Sequence, residues 1–509
     1  MSALSESEVR ALDTTQFSCD LSQVPEAFPH FWEHTVGSDQ APIALRADWQ
    51  AQLKRCHEEL GFRDVRFHGL LSDDMGALIE NLDALLYSFH NIDVVFDFVL
   101  GIGMRPFVEL SFMPKALASG DKTVFRYAAN VSPPKDYAQW AELVRRLVAH
   151  WVERYGYAEV REWCFEVWNE PNLEAFWSGT QAEYFKLYKH TVAAIKGVDA
   201  ELKVGGPATA KNAWIVDFVE FCADHQIACD FVSTHHYPTD ALGQESDDTE
   251  TALAESPRSV LREQMQQTKR EAGAKPLFYT EWNSSSNPRD QLHDEPYAAA
   301  FAVKTVMEAR GLVECYSFWT FTDIFAENYF PSVPFHGGFG LLNLQGIAKP
   351  LYRAFELLHR LGDKQFPVTG EHATVDVWVI GGADNFTVMA TNYERPRHPL
   401  RQEHLCIALA GAPRPKAVCV ERIDEKHANA KALWLSMGSP EYPDAVLRER
   451  LQNASALHRQ PLAARYENGT LFVEFDLPPQ GVTAITVDVG ISSDSGRADS
   501  GSSTSEAGP

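Results

Sequence analysis

The chain has 509 residues, 45% of them hydrophobic and 23% charged, with a formal charge of −25 at pH 7. That length exceeds what one hydrophobic core organises, so two domains, or one large domain with an appendage, are expected. So acidic a surface repels phosphate backbones, which argues against nucleic acid and anionic membranes as main partners and leaves room for a neutral ligand.

In chain order, the N-terminal "MSALSESEVRALDTTQF" has no basic stretch followed by an apolar one, and no run approaches 18 apolar residues. No signal peptide or membrane span is therefore expected, and the sequence predicts a cytoplasmic protein. "HFWEHTVG" (30–37) reads as a first strand, and "ALRADWQAQLKRCHEELG" (44–61) as a helix with apolar residues at helical spacing and a terminal Gly. Six further units follow through "DVRFHG" (64–69), "RPFVELSF" (105–112), "WCFEVW" (163–168), "LKVGG" (202–206), "CDFVSTHH" (229–236) and "PLFYTEW" (276–282), and "VECYSFW" (313–319) is the eighth strand. The amphipathic stretches between them include 136–156 and 180–199, and Thr180 with Glu183 forms a capping box at the head of the latter. Eight strand–helix units predict an α/β fold, a (β/α)8 TIM barrel over 26–360. A doubly wound sheet competes, but no GxGxxG follows the first strand.

After about residue 360 the texture changes to short alternating strands with turn residues between them, such as "TVDVWVIGG" and "NFTVMATNYE". This predicts a C-terminal all-β sandwich over 361–490, with residues 1–25 available as an N-terminal segment to pair with it. The Ser/Gly/Asp tail, 491–509, is expected to be disordered. Eight scattered Cys show no CxxC or Cys/His zinc spacing and read as buried reduced thiols.

In a (β/α)8 barrel, chemistry sits at the C-terminal ends of the strands. Here those ends carry His68 and Asp73-Asp74, Glu109, Asn169-Glu170, His235-His236-Tyr237, Glu281, and Trp319 through Asp323 with Glu327 beyond. Glu170 and Glu281 each follow a strand, have aromatic neighbours, and come from strands on opposite sides of the barrel. Either one alone reads as a solvated turn residue. Together they suit glycosidic cleavage, where one carboxyl protonates the leaving oxygen while the other attacks C1 or activates water. The two His of "THHYP" lack a third ligand at metal spacing; neighbours on a strand face opposite ways, so His235 points inward and His236 outward. His68 reads either as a satisfied core histidine or as a sugar contact. No GxSxG elbow occurs. No metal and no other cofactor is expected.

The blocks "VRFHGLLSDDMG", "FEVWNEPNLEAFW", "STHHYP", "YTEWNSSS" and "YSFWTFTDIFAEN", in that order, resemble glycoside hydrolase family 39, in the clan of retaining (β/α)8 glycosidases. "FDLPPQGVTAITV" is similar to the family's closing sandwich strand. The resemblance implies a retaining exo-β-1,4-xylosidase that releases D-xylose from xylo-oligosaccharides by double displacement, with Glu170 as acid/base and Glu281 as nucleophile. It implies that Asn169 bonds the sugar 2-OH, that His68, His235, Tyr237, Trp319 and Glu327 line the subsite for the non-reducing sugar, and that Phe176 flanks the leaving group. The family pattern reads DIFEE where this chain has Asp323-Ile324-Phe325-Ala326-Glu327, so one expected sugar contact is replaced by Ala326. Alternatives are an α-L-iduronidase, whose acidic substrate calls for Arg or Lys at the rim, a broad xylosidase/arabinosidase, and a sugar-binding protein on an inactive barrel. The expected partner is a small neutral oligosaccharide, with no nucleic acid or membrane; the sequence sets no oligomeric state.

Overall fold

The structure, a computed structural model, describes residues 14–82, 84–239, 248–327 and 330–490. The readings of residues 1–13 and 491–509 lie outside the described residues. Eight strands, β1 (Thr35–Gln40), β2 (Asp64–His68), β3 (Arg105–Leu110), β4 (Cys164–Val167), β5 (Lys203–Thr209), β6 (Phe231–His236), β7 (Leu277–Trp282) and β8 (Cys315–Phe318), pair in parallel and in chain order. β8 returns to β1 through Phe318 and Val36 and closes the barrel. The first strand starts later than its sequence suggests, because Phe31–Glu33 winds into a 3-10 turn that buries Phe31 and Trp32.

The outer helices begin and end where their chemistry directs. The helix Gln181–Val198 carries the Thr180–Glu183 capping box, and Asp136 caps Tyr137–Tyr155 by accepting from the Ala138 N–H. Gly61 ends Ala47–Leu60 at φ 75°, a left-handed conformation that suits glycine. Their apolar faces bury Trp49, Trp140 and Trp151 completely against the strands. Inside the barrel, one layer at the N-terminal end is apolar: Phe107, Cys164, Phe231, Phe278 and Cys315 from five strands. The Phe231 and Phe278 rings stack 4.6 Å apart, and Phe231 needs the missing side chain at Gly205, where a Cβ would stand 2.4 Å from the ring. Truncating either ring would cost about 3–5 kcal/mol.

Beyond the barrel lie two further sheets. One has five strands, including Thr14–Asp20 in parallel with Glu403–Ala410. The other has seven, including Val375–Gly381, Asn385–Asn392 and Gly481–Asp488. Both feed one apolar core through residues such as Phe17, Ile407 and Val473 on one side and Val379, Val388 and Ile485 on the other. Two features depart from the sequence reading. Glu26–Ala27 pairs with Lys364–Phe366 in the seven-stranded sheet rather than opening the barrel. The region also holds two helices, Ala430–Ser436 and Ala445–Ala454, which pack with Phe335 and Ile347 from the long loop after β8. Among the described residues, no helix is long and apolar enough to cross a membrane.

That loop is fastened by one buried cation. Lys349 is fully buried, with Nζ 2.8 Å from Asp294 Oδ1, 2.8 Å from Asp323 Oδ2, and donating to the Gly338 carbonyl at 2.8 Å. Asp294 belongs to the loop after β7 and Asp323 to the loop after β8, so the ammonium ties the two together. Lys349→Met leaves two buried carboxylates uncompensated. It is expected to lower stability by about 3–5 kcal/mol, read as a fall in Tm; an unchanged melting curve would contradict the role given to this cation.

Candidate active site

Two residues further along the strands than the apolar layer, the inward positions become polar. β2 delivers Arg66, β3 Glu109, β4 Glu166 and β7 Thr280, since alternate residues of a strand share a face. Arg66 is fully buried and directs its whole fork at this layer. Its Nε donates to Glu166 Oε2 at 2.6 Å, Nη1 to Glu281 Oε1 at 2.8 Å, and Nη2 to Asn169 Oδ1 at 3.0 Å, with Glu109 Oε2 2.8 Å from the same nitrogen. A planar fork with fixed donors suits so many carboxylates at once, where a lysine would not.

One step higher lies a cavity of about 100 Å3. His68, Asn169, Glu170, Phe176, Tyr237, Glu281, Trp319 and Glu327 line it, together with Phe125, Ser286, Pro288 and Phe339. Of the nine site residues expected from sequence, His235 alone is not in the wall. It sits below, fully buried, with Nδ1 3.0 Å from Glu170 Oε1 and Nε2 3.0 Å from Thr280 Oγ1. His236 turns the other way, stacked 3.9 Å from Tyr279 and bonded to the Tyr316 hydroxyl at 2.9 Å.

Glu170 is delivered by strained backbone. Trp168 has φ 71° and Glu170 φ 44°, values that side-chain-bearing residues rarely adopt. Three bonds hold the turn: the Trp168 indole N–H to the Phe176 carbonyl at 2.8 Å, Trp168 N to Leu110 O at 3.3 Å, and Glu170 N to Ala208 O at 2.8 Å. An oxygen of Glu170, an oxygen of Glu281 and a ring nitrogen of His235 all lie within 4.8 Å of one another. That proximity would also suit a metal ion. Glu281, however, already accepts from Arg66 and, on Oε2, from the Tyr237 hydroxyl at 3.0 Å.

His68 joins the polar layer to the wall. Its Nδ1 lies 2.7 Å from Glu109, and its Nε2 3.5 Å from Glu281 and 3.8 Å from Glu327. Trp319 packs 4.7 Å from its ring and fills the space over Gly37, where a Cβ would stand 2.5 Å from the indole. Burial disfavours the charged imidazole, but Glu109 and then Glu281 outweigh it and raise the His68 pKa. For His235, burial and then Arg66 act together and push the pKa well below its ordinary value, so this ring is neutral. Burial raises the Glu281 pKa, against the pull of Arg66 and His68. Burial, then Asp39 and Glu281, push Glu327 well above the ordinary range. Ala326, the departure noted in the sequence, presents its backbone N–H to the carboxylate of Asp39.

The chain matches the model of glycosyl hydrolases family 39 over residues 18–468. It belongs to that family. It is 48% identical to a β-xylosidase of Caldicellulosiruptor saccharolyticus over 463 residues, 90% of this chain and 95% of that one. Identity to a β-xylosidase of Geobacillus stearothermophilus is 37% over 483 residues, 91% and 94% of the two chains. Among solved structures, a monomeric β-xylosidase from Caulobacter crescentus superposes with a TM-score of 0.82 at 32% identity, covering 93% of this chain and 99% of that one. The family member described here is a glycoside hydrolase.

Sequence reasoning assigned no role to Arg66, Glu166, Thr280 or Asp39. A signal for two of them exists: Arg66 in "DVRFH" and Glu166 in "CFEVW" are charges inside strands buried on both faces, where an unpaired charge is too costly to stand. Phe125 was missed because it comes from a long loop whose position over the barrel mouth no periodicity reveals. The central cation is testable. Arg66→Lys keeps the charge but loses the fork, and kcat/KM on the best nitrophenyl glycoside is expected to fall by about 10²-fold or more; activity within three-fold of wild type would contradict the arrangement.

Proposed function

We propose that the protein is a retaining exo-β-xylosidase that removes D-xylose from the non-reducing end of short xylo-oligosaccharides, with Glu281 as nucleophile and Glu170 as acid/base. The observation that carries this reading is the pair of carboxylates, close together and differently held. An oxygen of each within 4.8 Å of the other supports the short separation of about 5–5.5 Å used for double displacement. Glu281 faces donors on both oxygens, Arg66 and Tyr237, which suits an anion that attacks carbon.

Glu170 faces a neutral imidazole instead. The Thr280 hydroxyl donates to Glu166 Oε1 at 2.8 Å, so its oxygen is free to accept from His235 Nε2–H. In the tautomer with the proton on Nε2, which also lies 3.4 Å from Arg66 Nη2, Nδ1 is an acceptor 3.0 Å from Glu170 Oε1, a position that favours a protonated carboxyl. Glu170 then gives its proton to the glycosidic oxygen while Glu281 closes on C1. With the aglycone gone, Glu170 takes a proton from water, and the hydroxide releases the sugar from Glu281. Asn169, oriented by Arg66, offers its amide N–H to the 2-OH.

The substrate class rests on the pocket and on the relatives. A cavity of about 100 Å3 suits a single terminal sugar rather than an internal stretch of chain. Its described lining holds Glu170, Glu281 and Glu327 but no Arg or Lys, so a uronic acid would meet like charge, whereas a neutral pentose would not. The β-xylosidase activity named for both relatives points the same way. We read residues 28–360 as the catalytic unit and 361–490, with strands Thr14–Asp20 and Glu26–Ala27, as an accessory β-sandwich that braces the loop after β8. Eight free thiols fit a reducing compartment such as the cytoplasm.

The test is a pair of variants assayed on xylobiose and on an aryl xyloside with a good leaving group. Glu170→Ala is expected to cut xylobiose turnover by about 10²–10⁴-fold while largely sparing formation of the glycosyl-enzyme from the activated substrate. Glu281→Gln is expected to lose both. Unchanged xylobiose hydrolysis in Glu170→Ala would defeat the assignment. A second expectation concerns pH. Glu281 must be ionised to attack, and burial raises its pKa, so kcat/KM rises with pH along an acid limb centred above the ordinary glutamate value of 4.5. A limb centred below that value would contradict the assignment of Glu281.

A further inference from the structure

Asp39 lies at the mouth of the barrel and enters none of the steps above. It is fully buried, the penultimate residue of β1. β1 and β2 lose register between Gly37, opposite Arg66, and Gln40, opposite His68. Ser38 points outward, its hydroxyl accepting from the Trp49 indole at 2.9 Å, so Asp39 points inward beside His68. A bulge at this height re-aims a side chain next to the site.

The carboxylate faces the backbone N–H groups of Ala326 and Gln40, with His68 nearby. Asp39 Oδ2 accepts from the backbone N–H of Ala326, and Oδ1 has no hydrogen-bond partner among the described residues. Ala326 precedes Glu327, whose carboxyl lines the cavity 3.8 Å from His68. On its other side, the Glu327 carbonyl accepts from Arg126 N at 2.8 Å. Two bonds therefore fix the short backbone stretch that delivers Glu327, and Asp39 makes one of them from the rigid barrel wall.

We propose that Asp39 is a positioning residue for the sugar subsite, holding Glu327 against the non-reducing sugar through the Ala326 N–H. A buried carboxylate is costly to desolvate even with His68 beside it, and a purely structural site would be filled more cheaply by an apolar residue. Its charge has a second effect in the same direction. Burial first, and then Asp39, Glu281, Glu170 and Glu109, push the Glu327 pKa well above the ordinary range, which favours a carboxyl able to donate to a sugar hydroxyl as well as accept from one. Asp39 itself is pushed up to about 6 by burial, against the Ala326 N–H and His68.

The proposal rests on the reading of Glu327 as a sugar contact, and the experiment separates the two. Asp39→Ala, Asp39→Asn, Glu327→Gln and both double variants are compared on whichever nitrophenyl glycoside the wild type cleaves fastest, with Tm measured for each. Asp39→Ala is expected to raise KM about ten-fold with kcat within about three-fold. Asp39→Asn keeps an acceptor for Ala326 and should raise KM about three-fold. In the Glu327→Gln background both effects should vanish, because a residue that acts through Glu327 has nothing left to position. The same KM factors in both backgrounds, or wild-type KM in Asp39→Ala, would overturn the proposal. If Asp39→Ala does not fold, the Asp39→Asn cycle decides alone by the same criterion. Failure of the wild type to prefer β-D-xyloside would sink the proposed substrate and leave this cycle intact.

Discussion

One guanidinium at the centre of the barrel governs the rest of the site. Arg66 lies between Glu109, Glu166 and Glu281, all of them buried. Three carboxyl groups at this depth stand only because a fork with fixed directions reaches all three, with His68 as a second partner on Glu109. The arrangement fixes more than charge. Arg66 comes from β2, its partners come from β3, β4 and β7, and satisfying the fork holds these strands in one register. The orientation of Asn169 follows from the same donor set, which also pulls against the burial that raises the Glu281 pKa.

From that centre the polarity runs outward in layers. The apolar floor of Phe107, Phe231 and Phe278 keeps water from entering below. The charged layer sits on it, and the reactive carboxyls sit on that. Low dielectric strengthens each electrostatic contact and makes each unpaired group expensive. The two glutamates are therefore distinguished by small differences in donors. Glu281 has a guanidinium and a phenol. Glu170 has a histidine whose remaining nitrogen is directed by Thr280, and Thr280 by Glu166. Arg66 also bonds Glu166 and lies 3.4 Å from His235 Nε2, so the same cation that contacts Glu281 directly bears on Glu170 through His235.

Much of this was legible in the sequence, for a physical reason. A parallel barrel places every strand's end on one rim, so reading strand ends amounts to reading the site. That logic brought His68, Asn169, Glu170, Tyr237, Glu281 and Trp319 together from segments spread across the chain. It could not see one turn deeper. Arg66 and Glu166 sit mid-strand, and their pairing depends on which strands face each other across the barrel. Nor could it see Phe125 or the Ala326 N–H, whose places are set by loops rather than by periodicity. The strand texture after residue 360 likewise gave no sign of the helices Ala430–Ser436 and Ala445–Ala454, which interrupt it without changing its overall alternation.

Those helices explain why a barrel with a complete core carries so much additional chain. Trp319 and Glu327 stand on the loop after β8, which is long and carries only the isolated bridges of Leu342 to Thr322 and Ala348 among the described residues. Lys349 ties that loop to its neighbour after β7 from within. Phe335 and Ile347 pin its far side under Trp434 and Leu451 of the accessory helices. Arg353, on the last barrel helix, donates to the Ser455 carbonyl at 2.7 Å and fixes those helices in turn. A side chain that shapes so small a cavity cannot hold its place from a free loop. The added sheets and helices thus turn the least constrained element of the rim into a fixed wall.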